Sequence, residues 1–413
     1  MLTPETRGEV ARITEAILAT RPLIDVLPGP VRIMAPLAAG GRVRTADGQP
    51  CGSVAEAQAL LDRITSRLRC PRLVLCADAL RTDLNAFERI VDAELNLPGR
   101  PALVVRQDPG SLAGMDAVVD EVQTRSFEQY RANPDVSTGD ARLHAYAAGV
   151  SGNPAVIISS ACGMPAKLSE AWVRCLAKSY FVMIWETRGL FGEVGNFDTI
   201  SHGVDAQIAD LFAVMDHYQV KNAHVMGFCT GAVIALAAAQ ARPDRVSSLS
   251  LWHGSYEMGA DFPITDHARY IRELMAIAAR GRAEASMVHA VLCDVMLKGA
   301  TADMPQQVLY PYVTPELLYR YCTINGVIAA MDVVDMLTSI PQPTLVVTSE
   351  TDVTTHPDAS RRVAGLLRRA TLHVEPSGDH ISLFKARPRL QYLANDFLSH
   401  DTIHAGHVRD GAS

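Results

Sequence analysis

His224-Val225-Met226-Gly227-Phe228-Cys229-Thr230-Gly231-Ala232-Val233 is the stretch on which the fold turns. An apolar strand, Ala223 to Met226, runs into a small-x-nucleophile-x-small turn, Gly227 to Gly231, and out into an Ala-rich helix, Ala232 to Ala241. A turn of this kind presents one side chain at strained backbone angles between strand and helix, and small residues flank it because larger neighbours would clash. Cys229 is therefore a candidate nucleophile, and the downstream chain supplies candidates for its partners. Asp352 lies directly beyond the apolar strand Thr344 to Thr348, 123 residues after Cys229, with Glu350 as its nearest rival. His380 follows 28 residues later in Pro376-Ser377-Gly378-Asp379-His380, after the strand Thr371 to Val374 and before a C-terminal helix. A carboxylate at Asp352 can orient an imidazole and stabilise its cation. Among the 13 histidines, His356, His253 and His224 are less well placed.

Outward from the turn, strands and helices alternate. Upstream come the strands Ala141 to Tyr146 and Ala155 to Ile158, a helix Leu168 to Lys178, the strand Phe181 to Trp185 and a helix Val204 to Tyr218. Downstream come Val246 to Trp252, Thr344 to Thr348, a helix Ala359 to Leu367, Thr371 to Val374 and a helix Arg389 to Leu398. The strand cores are too apolar for a sheet with one wet face, which predicts a mostly parallel sheet with helices on both faces. The region 258–336 is almost wholly helical and holds seven of the 14 methionines, which predicts a helical lid inserted in the core.

The segments Glu186-Thr187-Arg188-Gly189, His224 to Ala235, Pro243-Asp244-Arg245-Val246 and Ser377 to His380 together give the chain from about Gly139 to Leu398 a form that resembles the α/β-hydrolase superfamily. The resemblance implies an α/β-hydrolase fold and a Cys229-His380-Asp352 triad. It departs from the usual pattern twice. Ser160-Ala161-Cys162-Gly163-Met164 replaces the usual His-Gly after the third strand, so the implied oxyanion donors are the backbone N–H of Cys162, or of a neighbour, and that of Thr230. Cys also stands where most members carry Ser. An acyl-cysteine is a thioester, so an acyl-CoA or acyl-carrier protein is a near-neutral donor while an ordinary ester is uphill. Hydrolysis or acyl transfer on an ester or thioester of an apolar, polyketide-like molecule follows as the leading expectation. The alternatives are a lyase eliminating acetate, as in the tetronate-pathway enzymes that the chain broadly resembles, and a noncatalytic binding protein on the same scaffold. Trp185, Trp252, His253 and Tyr256, at or just beyond strand carboxyl ends, are the pocket candidates. Arg188 is read either as an anion site or as a structural residue.

The remaining 132 residues at the N-terminus lie outside the resemblance. Apolar runs at Val31 to Pro36, Leu73 to Ala77 and Ala102 to Val105 alternate with helical patterns at Glu9 to Ala19, Val54 to Leu68, Asp83 to Leu95 and Ala113 to Tyr130, predicting a smaller α/β domain of unassigned role. The expected organisation is thus 1–132, a core of 133–257 and 337–400, the lid 258–336, and a tail 401–413.

With 413 residues at roughly 100–200 per domain, two or three domains are expected. A net charge of −7 offers no basic field for nucleic acid or an anionic bilayer, and no run reaches the ~18–20 apolar residues of a membrane span. The start, Met1-Leu2-Thr3-Pro4-Glu5, has neither the basic nor the apolar region of a signal peptide, so a cytoplasmic location is expected. Arg outnumbers Lys 33 to 5, a hint of a GC-rich bacterial genome. The eight cysteines form no Cys-x-x-Cys pair or zinc spacing and read as free thiols, with neither metal nor cofactor expected. Expected partners are the small-molecule ester or thioester, an acyl carrier protein and a second copy of the chain.

Overall fold

A computed structural model describes residues 2–35, 42–44, 50–77, 80–97, 108–192, 194–259, 261–299 and 304–407. The chain divides into two compact units, 1–129 with 302–314, and 130–301 with 315–413.

The first unit holds α1 (Pro4–Ile24), β1 (Val31–Met34), β2 (Arg42–Arg44), β3 (Pro50–Ser53), α2 (Val54–Leu68), β4 (Leu73–Cys76), α3 (Ala86–Leu95) and α4 (Pro109–Arg125). Strands β1 and β4 pair in parallel. Helix starts follow local chemistry: Ser53 and Glu56 cap α2 reciprocally, and Asn85 and Glu88 do the same for α3. The strand expected at Ala102 to Val105 lies outside the described residues.

In the second unit β5 (Val136–Thr138) and β6 (Ala141–Leu143) form a hairpin, so the single strand expected from Ala141 is broken before β7 (Ala145–Ala148). There follow β8 (Ala155–Ser159), α5 (Glu170–Leu176), β9 (Phe181–Trp185), α6 (Val204–His217), β10 (Ala223–Phe228), α7 (Gly231–Ala241) and β11 (Val246–Trp252). Next come α8 (Asp266–Ala278) and α9 (Arg282–Gly299), then α10 (Pro305–Val308), which belongs to the first unit, then α11 (Pro315–Ala329) and α12 (Val334–Leu337). β12 (Thr344–Ser349), α13 (Pro357–Leu366), β13 (Ala370–Glu375) and α14 (Pro388–His407) end the chain. The seven-stranded sheet has the order β13-β12-β11-β10-β8-β9-β7, parallel throughout except for β7 against β9. Every residue of β9, β10 and β12 is buried, as expected for strands covered on both faces.

Strand order reverses between β8 and β10, which makes the carboxyl end of β10 the crevice where ligands of open parallel sheets bind. Cys229 is the first residue beyond that end.

Two boundaries differ from expectation. Residues 302–314, expected in the lid, belong to the first unit, where α10 packs on α1 and α3 and buries Val308, Leu309 and Tyr312. The tail expected from 401 continues α14 to His407, because no Gly or Pro interrupts the helix before Gly406. The rest of the lid packs as expected of helices with one apolar side: α8, α9 and α11 lie on one another, and α11 also meets α7. Arg188 is structural, buried in a bidentate pair with Asp210 at 2.8 and 2.6 Å and bonded to Asp140 at 2.7 Å. Among the described residues no helix is long and apolar enough to cross a membrane.

Candidate active site

The elbow holds Cys229 at a φ of 52°, a left-handed angle uncommon for a residue with a side chain. Its glycines are sterically required. A Cβ on Gly227 would lie 2.6 Å from Ala232 Cα, and one on Gly231 would lie 2.0 Å from the Ser159 carbonyl oxygen. The turn is tied to the end of β11 from both sides: Cys229 N–H donates to Trp252 O at 3.1 Å, and Ser255 N–H donates to Cys229 O at 3.2 Å.

Asp352 lies in the loop after β12, 3% exposed, with every acceptor position engaged. Its Oδ1 accepts the N–H groups of Thr354 and Thr355 at 2.8 and 3.0 Å. Its Oδ2 accepts the Thr355 hydroxyl at 2.9 Å, His380 Nδ1 at 2.9 Å and His253 Nδ1 at 2.7 Å. Glu350 instead pairs with Arg361 at the surface. The loops carrying Asp352 and His380 are stitched together by Thr351, whose hydroxyl donates to Gly378 O at 3.1 Å and accepts from Gly378 N–H at 2.9 Å.

Burial works against the charges of Asp352 and His380, and their facing each other overrides it. His380, with the added hydrogen bond from His253, holds the Asp352 carboxyl well below the usual carboxylate range. The Asp352 carboxylate and the Cys229 sulfur raise the His380 imidazole well above its ordinary value. His380 Nε2 is buried and has no hydrogen-bond partner among the described residues.

The oxyanion candidates meet in an unexpected way. Cys162 N–H donates to the Thr230 hydroxyl at 3.1 Å, so this amide is open to an oxyanion only when that hydroxyl turns away. The next amide, of Gly163, is engaged with the Thr187 hydroxyl at 3.0 Å. Thr230 is the N-cap residue of α7, so its amide is among the N–H groups that have no acceptor within the helix. Burial pushes the Cys162 thiol far up, which makes it inert.

The four pocket candidates separate. Trp185 walls a recess of about 360 Å³, counted with its open mouth, together with Ser160, Cys162, Met164, Gln207 and Ile328. Tyr256 borders a second of about 380 Å³, with Met258, Phe262, Arg272 and Thr355. Its buried hydroxyl has no hydrogen-bond partner among the described residues, and burial pushes its phenol up. Trp252 lines neither of these recesses: it is fully buried against Trp172, ring centroids 5.0 Å apart. His253 lines neither recess and is a second imidazole on Asp352. Its position directly after β11 was legible; its turn onto a carboxylate 99 residues away was not. Trp172, unflagged by sequence, supports the histidine turn by donating from Nε1 to Leu383 O at 2.7 Å.

His253, Asp352 and His380 also form a group whose donor atoms lie within 4.8 Å of one another. Both histidines direct Nδ1 at one carboxylate oxygen at hydrogen-bond distance rather than at a common empty point, which is the geometry of a proton network and not of a metal site.

The model of the alpha/beta hydrolase family matches residues 144–394, which include the elbow, the acid loop and the histidine loop. The chain belongs to the alpha/beta hydrolase family. Curated relatives of this hydrolase-family chain include RutD of Caulobacter segnis, named for carbamate hydrolysis, 24% identical over 231 residues covering 56% of this chain and 86% of that protein. Another is the L-allo-isoleucyltransferase of Pseudomonas savastanoi pv. glycinea, 25% identical over 42% of this chain and 62% of the relative. Among solved structures, the enol-lactonase of Burkholderia xenovorans superposes with a TM-score of 0.52 at 20% identity, covering 64% of this chain and all of that one. A bacterial membrane phospholipase A gives 0.55 at 17% identity, over 69% and 92% of the two chains. At these identities the structures share the fold alone.

Proposed function

We propose that this enzyme transfers an acyl group through an acyl–Cys229 thioester, with His380 as the acid and base and Asp352 orienting it. The observation that carries this reading is the buried Asp352–His380 pair facing a cysteine held at a positive φ on a strand-to-helix elbow. Cys229 gives its thiol proton to His380, Sγ attacks the donor carbonyl, the donor C–S bond breaks, and the leaving thiolate takes that proton from His380. An acceptor then attacks the acyl-enzyme, gives its proton to His380 and frees Cys229. Because the intermediate is a thioester, a thioester donor makes the first step nearly neutral, and an acyl-CoA or carrier-bound acyl group is the proposed donor class. The name of the L-allo-isoleucyltransferase relative supports group transfer as well as hydrolysis. The Met-rich lid favours an adaptable, apolar acyl group of polyketide-like character.

Intact-protein mass spectrometry after mixing with short and medium acyl thioesters tests this, run beside Cys229→Ala. A mass gain equal to the acyl group is expected in the wild type only. No adduct at any time point, with acetate released from an acetylated substrate, would replace acyl transfer by elimination.

A further inference from the structure

His253 directly follows β11 and leaves it at a φ of 48°, a left-handed angle uncommon for a residue with a side chain. Its N–H is fixed on Val347 O at 2.8 Å, and its ring, in a residue 1% exposed, is aimed at Asp352. A carboxylate only accepts, so both Nδ1 atoms on Oδ2 carry hydrogens. One oxygen therefore serves three donors: two imidazoles, with ring centroids 5.8 Å apart and edge to face, and the Thr355 hydroxyl. Each donor draws on the same negative charge and weakens what the others receive. The ionisable groups facing this network are Asp352 from the loop after β12, His380 from the turn His380–Lys385, and Cys229 from the elbow beyond His380.

We propose that His253 is a positioning residue that shares Asp352 Oδ2 with His380 and thereby limits how tightly His380 holds its proton. The proposal rests on the acyl-transfer reading, in which His380 must give up a proton in one step and take one in the next. A carboxylate bonded to His380 alone would favour the imidazolium and leave too little neutral base to deprotonate the acceptor. The second imidazole loosens that grip, and the bonds of His253 to Val347 O and Asp352 Oδ2 hold it at its left-handed backbone angle.

The test is a histidine-selective ¹⁵N NMR titration of His380 in the full-length chain, in a Cys229→Ala background that removes the sulfur. His253→Asn puts an uncharged N–H group where Nδ1 stood and tolerates the left-handed backbone. His253→Phe fills the ring volume without a donor, and His253→Ala takes its place should the Phe variant not fold. The midpoint of His380 is expected to rise by about one pH unit, a tenfold change in its protonation ratio, in the Phe or Ala variant. In the Asn variant it should stay at the parent value. An unmoved midpoint without the donor, or an Asn variant that shifts as far as Phe, overturns the proposal. The two readings fail separately: absence of an acyl adduct in the wild type overturns acyl transfer, whereas the NMR midpoint judges His253 alone.

Discussion

The side chains that carry the proposed chemistry are polar groups in an apolar place, and their charges persist because they face one another. Asp352→Asn keeps the shape but removes the charge that favours His380 as a cation and fixes its tautomer. By analogy with other triads it should lower the transfer rate about 10³–10⁴-fold, read by single-turnover kinetics. The same pair links stability to pH. The carboxyl of Asp352 is depressed in the folded state, so its contribution is present above the unfolded carboxyl value of about 3.9 and is lost as pH falls below it. The imidazole of His380 is raised, so its contribution is full below the unfolded value of about 6.5 and is lost as pH rises through the folded one. The wild type should therefore exceed Asp352→Asn in thermal stability most strongly between about pH 4 and 6.5, by melting curves across pH. A gap that does not shrink as pH falls below about 4 or rises above about 6.5 would contradict the charged pair.

At the scale of elements, the elbow works only if β10 and α7 approach β8 closely. A methyl group on Gly231 would overlap the Ser159 carbonyl at 2.0 Å, and neither backbone can move without shifting the sheet. Gly231→Ala should cost at least about 3 kcal/mol in urea unfolding, the upper part of the overpacking range. A much smaller loss would mean that β8 yields. The lid obeys the same rule: Gly163 sits under Tyr321 of α11, where a Cβ would come within 2.5 Å of the ring, so the 160–164 loop and the lid fit only through a glycine. Most of these elements were legible in the sequence because an apolar run ending in Gly, or a cap such as Ser53 with Glu56, is decided by neighbours in the chain. Elements decided by distant partners were not, and the break at His144 between β6 and β7 is one.

At the scale of the molecule, the first unit is discontinuous. Residues 302–314 leave the lid and complete it, with α10 packed on α1 and α3. Deleting 1–129 therefore strips the partners of Val308, Leu309 and Tyr312 and exposes a contiguous apolar surface. Size-exclusion chromatography of 130–413 should show aggregation, and further excision of 302–314 should reduce it. A monodisperse 130–413 would mean that this segment does not depend on the first unit.

By itself the sequence determined the alternation of strand and helix, the elbow at Cys229 and the chain order of cysteine, acid and histidine. Each of these is a local pattern of apolar periods and small residues. Only the tertiary structure decided that His253 shares Asp352 with His380, that the Thr230 hydroxyl occupies the Cys162 amide, that Trp252 is core, and that 302–314 belongs with the N-terminal helices. Those outcomes depend on sheet order and on backbone angles that bring together residues 68 to 99 or more positions apart. No periodicity encodes contacts of that kind, because the free energy that selects them arises only when the packed sheet has excluded water and left each buried polar group to find a partner.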